Sequence, residues 1–158
     1  MEESEKFIGV ILAVDFGSRK SGLAICDPDR RVAVGVGHLE KSGRALARAV
    51  FSIAREKGAE SVLVGSPPPG AKNSEHVIAG ANKLCDALKK RGIEILRWDE
   101  GYTTAEALRA KKHYGGKSKP KKMWIDEASA VLILQSYLTN YKNYLESAVA
   151  ERNIHDLT

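Results

Sequence analysis

The chain has 158 residues, of which 43% are hydrophobic and 28% charged, so it fits one domain over residues 1–158 with a self-sufficient core. The net charge of +5 permits a nucleic-acid partner without demanding one. Cys26 and Cys85 lie in apolar settings, which predicts buried free thiols in a reducing cytoplasm. The four histidines lack ligand spacing, which argues against a zinc site. We expect neither a signal peptide nor a membrane span.

The first patterned stretch runs from Val10 to Asp27. Its apolar run from Val10 to Val14 predicts a strand buried on both faces, and Asp15 follows directly. Gly17 then indicates a tight turn, and a second apolar run, Gly22 to Cys26, predicts an antiparallel hairpin. Because a buried charge is costly unless it is satisfied, two interpretations of Asp15 stay open. It is either a turn residue that accepts backbone N–H bonds or part of a metal or phosphate site.

The following residues alternate between strand and helix patterns. A third apolar stretch completes an antiparallel meander, and two helix–strand units with serine or asparagine N-caps come next. A third helix starts at the capping-box spacing of Thr103 and Glu106. The predicted elements are a strand at Val32–Leu39, a helix from Ser42 to Gly58, a strand at Ser61–Gly65, a helix from Asn73 or Ser74 to Gly92, a strand at Ile93–Trp98 and a helix from Thr103 or Thr104.

A basic linker and a final helix end the chain. Gly115 to Lys122 reads G-G-K-S-K-P-K-K and has no apolar anchor, so it predicts an exposed segment. The last helix has Asp126 in or just before its first turn and reaches at least Leu138. The pattern leaves open whether it breaks near Thr139.

A meander followed by two crossovers predicts an α/β fold with a five-stranded mixed sheet and helices on both faces. Ligands collect at the carboxyl ends of parallel strands, where the chain places Asp15, Ser66, Asp99 and Glu100. Asp126 at the start of the last helix completes this group. Clustered carboxylates suit Mg²⁺ or Mn²⁺, and two such ions assist phosphodiester hydrolysis. The plainer alternatives are a solvated loop carboxylate for Glu100 and an N-cap for Asp126.

Four motifs in this order resemble the YqgF/RuvX family of the RNase H-like superfamily, described as Holliday-junction resolvases or pre-16S ribosomal RNA processing nucleases. The stretch D-F-G-S-R-K-S-G-L-A-I-C-D is similar to the first family motif. V-L-V-G-S-P-P-P-G, W-D-E-G-Y-T-T and I-D-E-A-S-A-V-L-I-L-Q-S-Y-L resemble the later ones. The resemblance extends over nearly the whole chain and implies an RNase H-like fold.

The resemblance also implies site residues and a substrate class. Asp15, Glu100 and Asp126 correspond to the family's catalytic, metal-binding carboxylates, and Asp99 is the alternative or supporting partner of Glu100. Structured RNA or branched DNA would be the partner. From the chain itself rather than from the resemblance, the basic residues that could contact its phosphates are Arg19, Lys20, Lys117, Lys119, Lys121 and Lys122. The alternative for the lysine run is a solvated segment.

Three functions compete on these observations. The first is a cytoplasmic, metal-dependent nuclease, and the second is a non-catalytic binding module of the same fold in ribosomal RNA maturation. The second is favoured by Gly101 and Tyr102, which stand where the family usually has Arg and Leu. The third is an ATPase of the actin or sugar-kinase class, which needs two such domains and therefore a longer chain. Whether the substrate is DNA or RNA stays open, as does whether the protein forms a homodimer.

Overall fold

The computed structural model describes residues 9–67, 70–72, 74–99 and 122–156, without the side chains of 99, 122–126, 144, 145 and 156. The predicted third helix and the basic linker up to residue 121 lie outside these ranges. The elements in chain order are β1 (Val10–Asp15), β2 (Ser21–Cys26), β3 (Ala33–Leu39), α1 (Gly43–Glu56), β4 (Ala59–Ser66), α2 (Glu75–Lys90), β5 (Glu94–Asp99) and α3 (Lys122–Asp156).

The five strands form one mixed sheet in the order β3-β2-β1-β4-β5. β1 pairs antiparallel with β2, and β2 pairs antiparallel with β3, which confirms the meander. β4 then lies parallel to β1 and β5 parallel to β4, because each is reached through a crossover. The predicted α/β architecture is therefore confirmed.

Each face of the sheet buries a separate apolar cluster. Leu12 and Val14 of β1 point to the face covered by α1 and α2, whereas Ile11 and Ala13 point to the face covered by α3. This alternation follows from the two-residue period of a strand. Because helices cover both faces, the central strand is apolar at successive positions, as the sequence predicted.

α3 approaches the sheet closely at Gly65 on β4. A Cβ added at Gly65 would lie 2.6 Å from Cδ1 of Ile133, far inside van der Waals contact. Ile133 is 6% exposed, so its side chain has little room to move away. The absence of a side chain at position 65 therefore lets α3 pack directly on the carboxyl end of β4.

Two helix starts differ from the prediction in how they are stabilised. Ser42 and Ser74 occupy the N-cap positions of α1 and α2, but neither side chain bonds to a helix N–H group. The Ser74 hydroxyl instead donates to the carbonyl oxygen of Ala71 at 2.6 Å, so it closes the turn before the helix. The final helix continues without a break through Thr139 to Asp156.

The two thiols are free and buried, as predicted. The Sγ atom of Cys26 accepts a hydrogen bond from the backbone N–H of Ile11 at 3.2 Å. Burial raises the pKa of both Cys26 and Cys85. Within the described ranges, no helix combines the length and apolar character needed to cross a membrane.

Candidate functional site

Asp15 is the last residue of β1 and lies half-buried at the carboxyl end of the sheet. Its register partners on the two neighbouring strands are both glycines, Gly22 on β2 and Gly65 on β4. Neither neighbour therefore places a side chain beside the carboxylate. Strand alternation puts Asp15 on the α3 face, the same face as Ala13. On the Gly65 side, Ile133 of α3 takes up the space that a side chain would fill, so α3 borders Asp15 there.

The turn after Asp15 is fixed by local geometry. A Cβ at Gly17 would lie 2.2 Å from the carbonyl oxygen of Lys20, so only glycine fits this turn. The backbone N–H of Gly17 donates to Oγ of Ser21 at 3.3 Å, and the N–H of Phe16 donates to the carbonyl oxygen of Gly65 at 3.2 Å. These bonds hold the end of β1 against β2 and β4, which gives Asp15 a fixed backbone position.

The other two parallel strands, β4 and β5, end at the same edge of the sheet as Asp15. Ser66 on β4 pairs in register with Asp99 on β5, one residue beyond the pair of Gly65 and Trp98. The backbone of Asp99 therefore lies two strands from β1 at the same edge, as the prediction required. Glu100, the predicted catalytic partner, lies outside the described residues. The choice between Asp99 and Glu100 stays a prediction.

The start of α3 is attached to the same end of the sheet. The carboxylate of Glu127 accepts a hydrogen bond from the backbone N–H of Gly37 on β3. His38, the next residue, is in register with Gly22, which in turn is in register with Asp15. Adjacent strands are about 4.8 Å apart, so β3 lies roughly 10 Å from β1. The backbone of Asp126, next to Glu127, is thus held near the level of Asp15.

Asp126 lies inside α3, since the helix already includes Lys122. The N-cap interpretation of Asp126 is therefore wrong, because an N-cap residue precedes the first helical turn. Its side chain lies outside the description, as does all of Glu100. No group of three or more potential metal ligands occurs among the side chains that are described. The three-carboxylate site stays a prediction, supported by the position of Asp15 and of the Asp126 backbone.

Two of the predicted phosphate contacts lie in the turn after β1. Arg19 is exposed, whereas the ammonium group of Lys20 lies 3.3 Å from Oε1 of Glu40. The hydrogen bond from Lys20 lowers the pKa of Glu40, and His38 lies 3.5 Å from the same carboxylate. A phosphate would have to compete with Glu40 for Lys20. Lys117, Lys119 and Lys121 lie outside the described residues, and only the backbone of Lys122 is described.

Sequence reasoning missed Arg97 on β5. Its guanidinium donates to Oδ1 of Asn82 at 2.9 Å and to Sγ of Cys85 at 3.0 Å, both on α2. It also donates to Oγ of Ser66 at 3.4 Å. Arg97 is thus held two residues before Asp99, next to the carboxyl end of β4. The two-residue period of β5 could have indicated the position of Arg97, because it places this residue on the face opposite Leu96 and Trp98.

Comparison with protein families decides the relationship. A model described as "RuvX: Holliday junction resolvase" matches residues 9–140 of the chain. The chain belongs to the RuvX family. The suspected resemblance is therefore confirmed, and the match includes every element from β1 to the first half of α3.

Relatives of this RuvX-family protein carry the name "Putative pre-16S rRNA nuclease". The Chlamydia muridarum protein is 31% identical over 149 residues, which are 91% of this chain and 98% of that protein. The Acetivibrio thermocellus protein is 30% identical over 136 residues, 81% and 94% of the two chains. The Thermus thermophilus protein is 31% identical over 127 residues, 80% and 94% of the two chains.

A solved structure supports the fold of the RuvX-family chain. RuvC of Thermus thermophilus in complex with a Holliday junction substrate aligns with a TM-score of 0.53 at 15% identity. The alignment covers 81% of this chain and 91% of RuvC. At that identity the similarity establishes a shared fold, and the RuvX match identifies the family.

Proposed function

We propose that the protein is a metal-dependent endonuclease that hydrolyses phosphodiester bonds in structured nucleic acid, as in precursor 16S ribosomal RNA or branched DNA. The observation that carries the proposal is the position of Asp15, half-buried at the carboxyl end of β1 between Gly22 and Gly65. The family match and the names of the relatives support the substrate class. Cytoplasmic ribosomal RNA maturation is the setting we propose.

Asp15, Glu100 and Asp126 would hold Mg²⁺ or Mn²⁺, with Asp99 in a supporting role. Such an ion, when bound, neutralises charge that develops on the phosphate. The donor set fits, because carboxylate oxygens are the ligands these ions prefer. In the overall reaction a P–O bond to water forms and the P–O bond to the leaving oxygen breaks, without a covalent enzyme intermediate.

Basic side chains of the chain would position the nucleic-acid backbone. We assign this role to Arg19 and Lys20 in the turn after β1, and to Lys117, Lys119, Lys121 and Lys122 before α3. Phosphate contacts set orientation and affinity without reading sequence. Specificity would therefore come from the shape of the substrate.

The decisive experiment compares Asp15→Asn with Asp29→Asn. Asp29 is exposed and lies in the β2–β3 turn at the opposite end of the sheet, so it is a matched control. We expect Asp15→Asn to lower Mn²⁺-dependent cleavage by at least about a hundredfold, because one anchor for the cation is lost. Binding should persist, since a negative charge facing phosphate has gone. Asp29→Asn should cleave like the wild type.

The competing interpretation of Asp15 makes the opposite prediction. A turn residue that accepts backbone N–H bonds would destabilise the fold by about 1–3 kcal/mol when changed to Asn. Cleavage per folded molecule would then be unchanged, and that outcome would refute the assignment.

A non-catalytic binding module is the second candidate function. It is favoured by Gly101 and Tyr102, which replace the usual Arg and Leu of the third family motif. This candidate predicts metal-independent binding with no cleavage of a junction, a duplex or a precursor ribosomal RNA by the wild type. Restoring Arg and Leu at these positions would then be needed before any cleavage is seen.

A further inference from the structure

A cleft of about 380 Å³ opens beside the end of β1, between the start of α1 and one face of α2. This volume lies within the range of about 300–1,000 Å³ that is usual for ligand sites. The cleft lies on the face of the sheet opposite α3. Its floor is apolar and includes Phe16, Leu46 and Leu84. Nothing in the assigned chemistry of Asp15, Glu100 and Asp126 uses it.

Phe16 is the aromatic part of this cleft, and its ring is held in place. A Cβ at Gly80 on α2 would lie 2.7 Å from Cζ of Phe16, so glycine there lets the ring lie directly against the helix. The bond from its backbone N–H to the Gly65 carbonyl fixes the other end of the residue. The half-buried ring therefore offers a prearranged surface for a flat ligand.

The rim of the cleft is basic. Arg44 comes from the start of α1, and His76 and Lys83 come from the same side of α2, seven residues apart. All three are exposed, and none of the described residues that line the cleft is acidic. In the ranges that the structure describes, these three side chains form no ion pair, in contrast to Lys20. The rim is therefore complementary to a phosphate.

An aromatic floor under a cationic rim matches the chemistry of a nucleotide. Bases stack on aromatic rings in proteins that bind single strands, while basic side chains follow the backbone. Phe16 also follows Asp15 directly, and consecutive Cα atoms are about 3.8 Å apart. The two side chains point to opposite faces of the sheet, so a nucleic-acid strand would have to cross the carboxyl end of β1 to contact both Asp15 and the cleft.

We propose that this cleft binds one unpaired nucleotide of the substrate, with its base on Phe16 and its phosphate at Arg44 and Lys83. The proposal rests on the proposed nuclease function and adds a substrate class to it. A base that is paired within a continuous duplex cannot enter the cleft. The protein therefore selects substrates in which an unpaired nucleotide lies on the strand that crosses the carboxyl end of β1.

The test measures binding of the full chain by fluorescence anisotropy, with chelator present so that cleavage does not interfere. The probes are a short labelled single-stranded oligonucleotide, its continuous duplex and the same single-stranded backbone without bases. Phe16→Leu keeps apolar bulk but removes the ring, and should weaken single-strand binding by about 5- to 150-fold, the range for loss of one stacked base.

The base-free probe and the rim variants complete the test. Phe16→Leu should not change binding of the base-free backbone, because no base is present to stack. Lys83→Gln and Arg44→Gln should weaken binding of both single-stranded probes and flatten the salt dependence. Lys89→Gln, at the far end of α2, is the matched control and should bind like the wild type.

Two outcomes would overturn the proposal. One is wild-type single-strand binding by a folded Phe16→Leu protein, which would also be expected if the cleft held a peptide. The other is equal weakening for the base-free probe. A separate Mn²⁺-dependent cleavage assay of Asp15→Asn distinguishes this inference from the nuclease assignment. If binding depends on Phe16 but cleavage is unaffected by Asp15→Asn, only the nuclease assignment is refuted. If cleavage depends on Asp15 but binding does not depend on Phe16, only the cleft proposal is refuted.

Discussion

The carboxylate of Glu127 accepts a hydrogen bond from the backbone N–H of Gly37, although 90 residues separate them in sequence. A Cβ at Gly35 would lie 2.8 Å from Cδ of Glu127, so a second glycine of β3 makes room for the same side chain. Gly37 itself has a φ of 97°, a conformation that favours glycine. One carboxylate thus joins the start of α3 to the edge of the sheet, beside Asp126.

We predict that Glu127→Ala lowers the free energy of unfolding by about 1–3 kcal/mol, because a hydrogen bond to a charged acceptor is lost. Cleavage should fall as well, since Asp126 loses its support. Glu127→Gln keeps an acceptor oxygen and should retain most of the stability and most of the cleavage activity. Glu146→Ala, an exposed site on α3, is the control for urea unfolding and cleavage. Equal stability of Glu127→Ala and the control would contradict this.

The packing of Gly65 against Ile133 makes a second prediction. Gly65→Ala should destabilise the protein by about 1–3 kcal/mol, because the new methyl group overlaps Cδ1 of Ile133 in a packed region. Ile133→Val removes that atom. The double variant should therefore lose less stability than the sum of the two single changes. Chemical denaturation of all four proteins measures this coupling, and strict additivity would show that the two residues do not clash.

The basic segment before α3 makes a third prediction, which concerns binding. Changing Lys117, Lys119, Lys121 and Lys122 to Gln should weaken nucleic-acid binding. The slope of log K against log salt should fall by about 0.7–0.9 for each lysine that contacts a phosphate. The control changes Lys57, Lys89 and Lys90, which lie at helix ends remote from Asp15. If the slope falls no more for each changed lysine in the segment than for each changed lysine in the control, the segment makes no phosphate contact.

The two thiols predict a pH dependence of stability. Burial raises the pKa of Cys26 and Cys85 in the folded state above the unfolded value of about 8.5. The folded protein holds these thiol protons to a higher pH than the unfolded chain does. Their contribution to the free energy of unfolding is therefore complete below about pH 8.5 and is lost as the pH rises through the folded pKa. Between pH 7 and pH 10, the melting temperature should fall less steeply with pH for the double variant Cys26→Ala/Cys85→Ala than for the wild type. Parallel curves would contradict the shift.

Sequence reasoning predicted the order of the strands and helices in the described residues correctly because the signals are local. The apolar run of β1 indicated a strand buried on both faces, and the short turn at Gly17 required a hairpin. Crossover rules then placed β4 and β5 parallel to β1, so the ends of these strands share one edge. Asp15 could be singled out because a charge at the end of an apolar strand needs a partner.

The tertiary structure decided which residues meet at that edge. Three contacts join residues from different elements: Glu127 with Gly37, Arg97 with Ser66, and Phe16 with Gly80. The period of each element predicts which face a residue occupies, but not the register or the helix position that brings two faces into contact. Those are set by close packing across the whole sheet, where one missing Cβ determines how near a helix can approach.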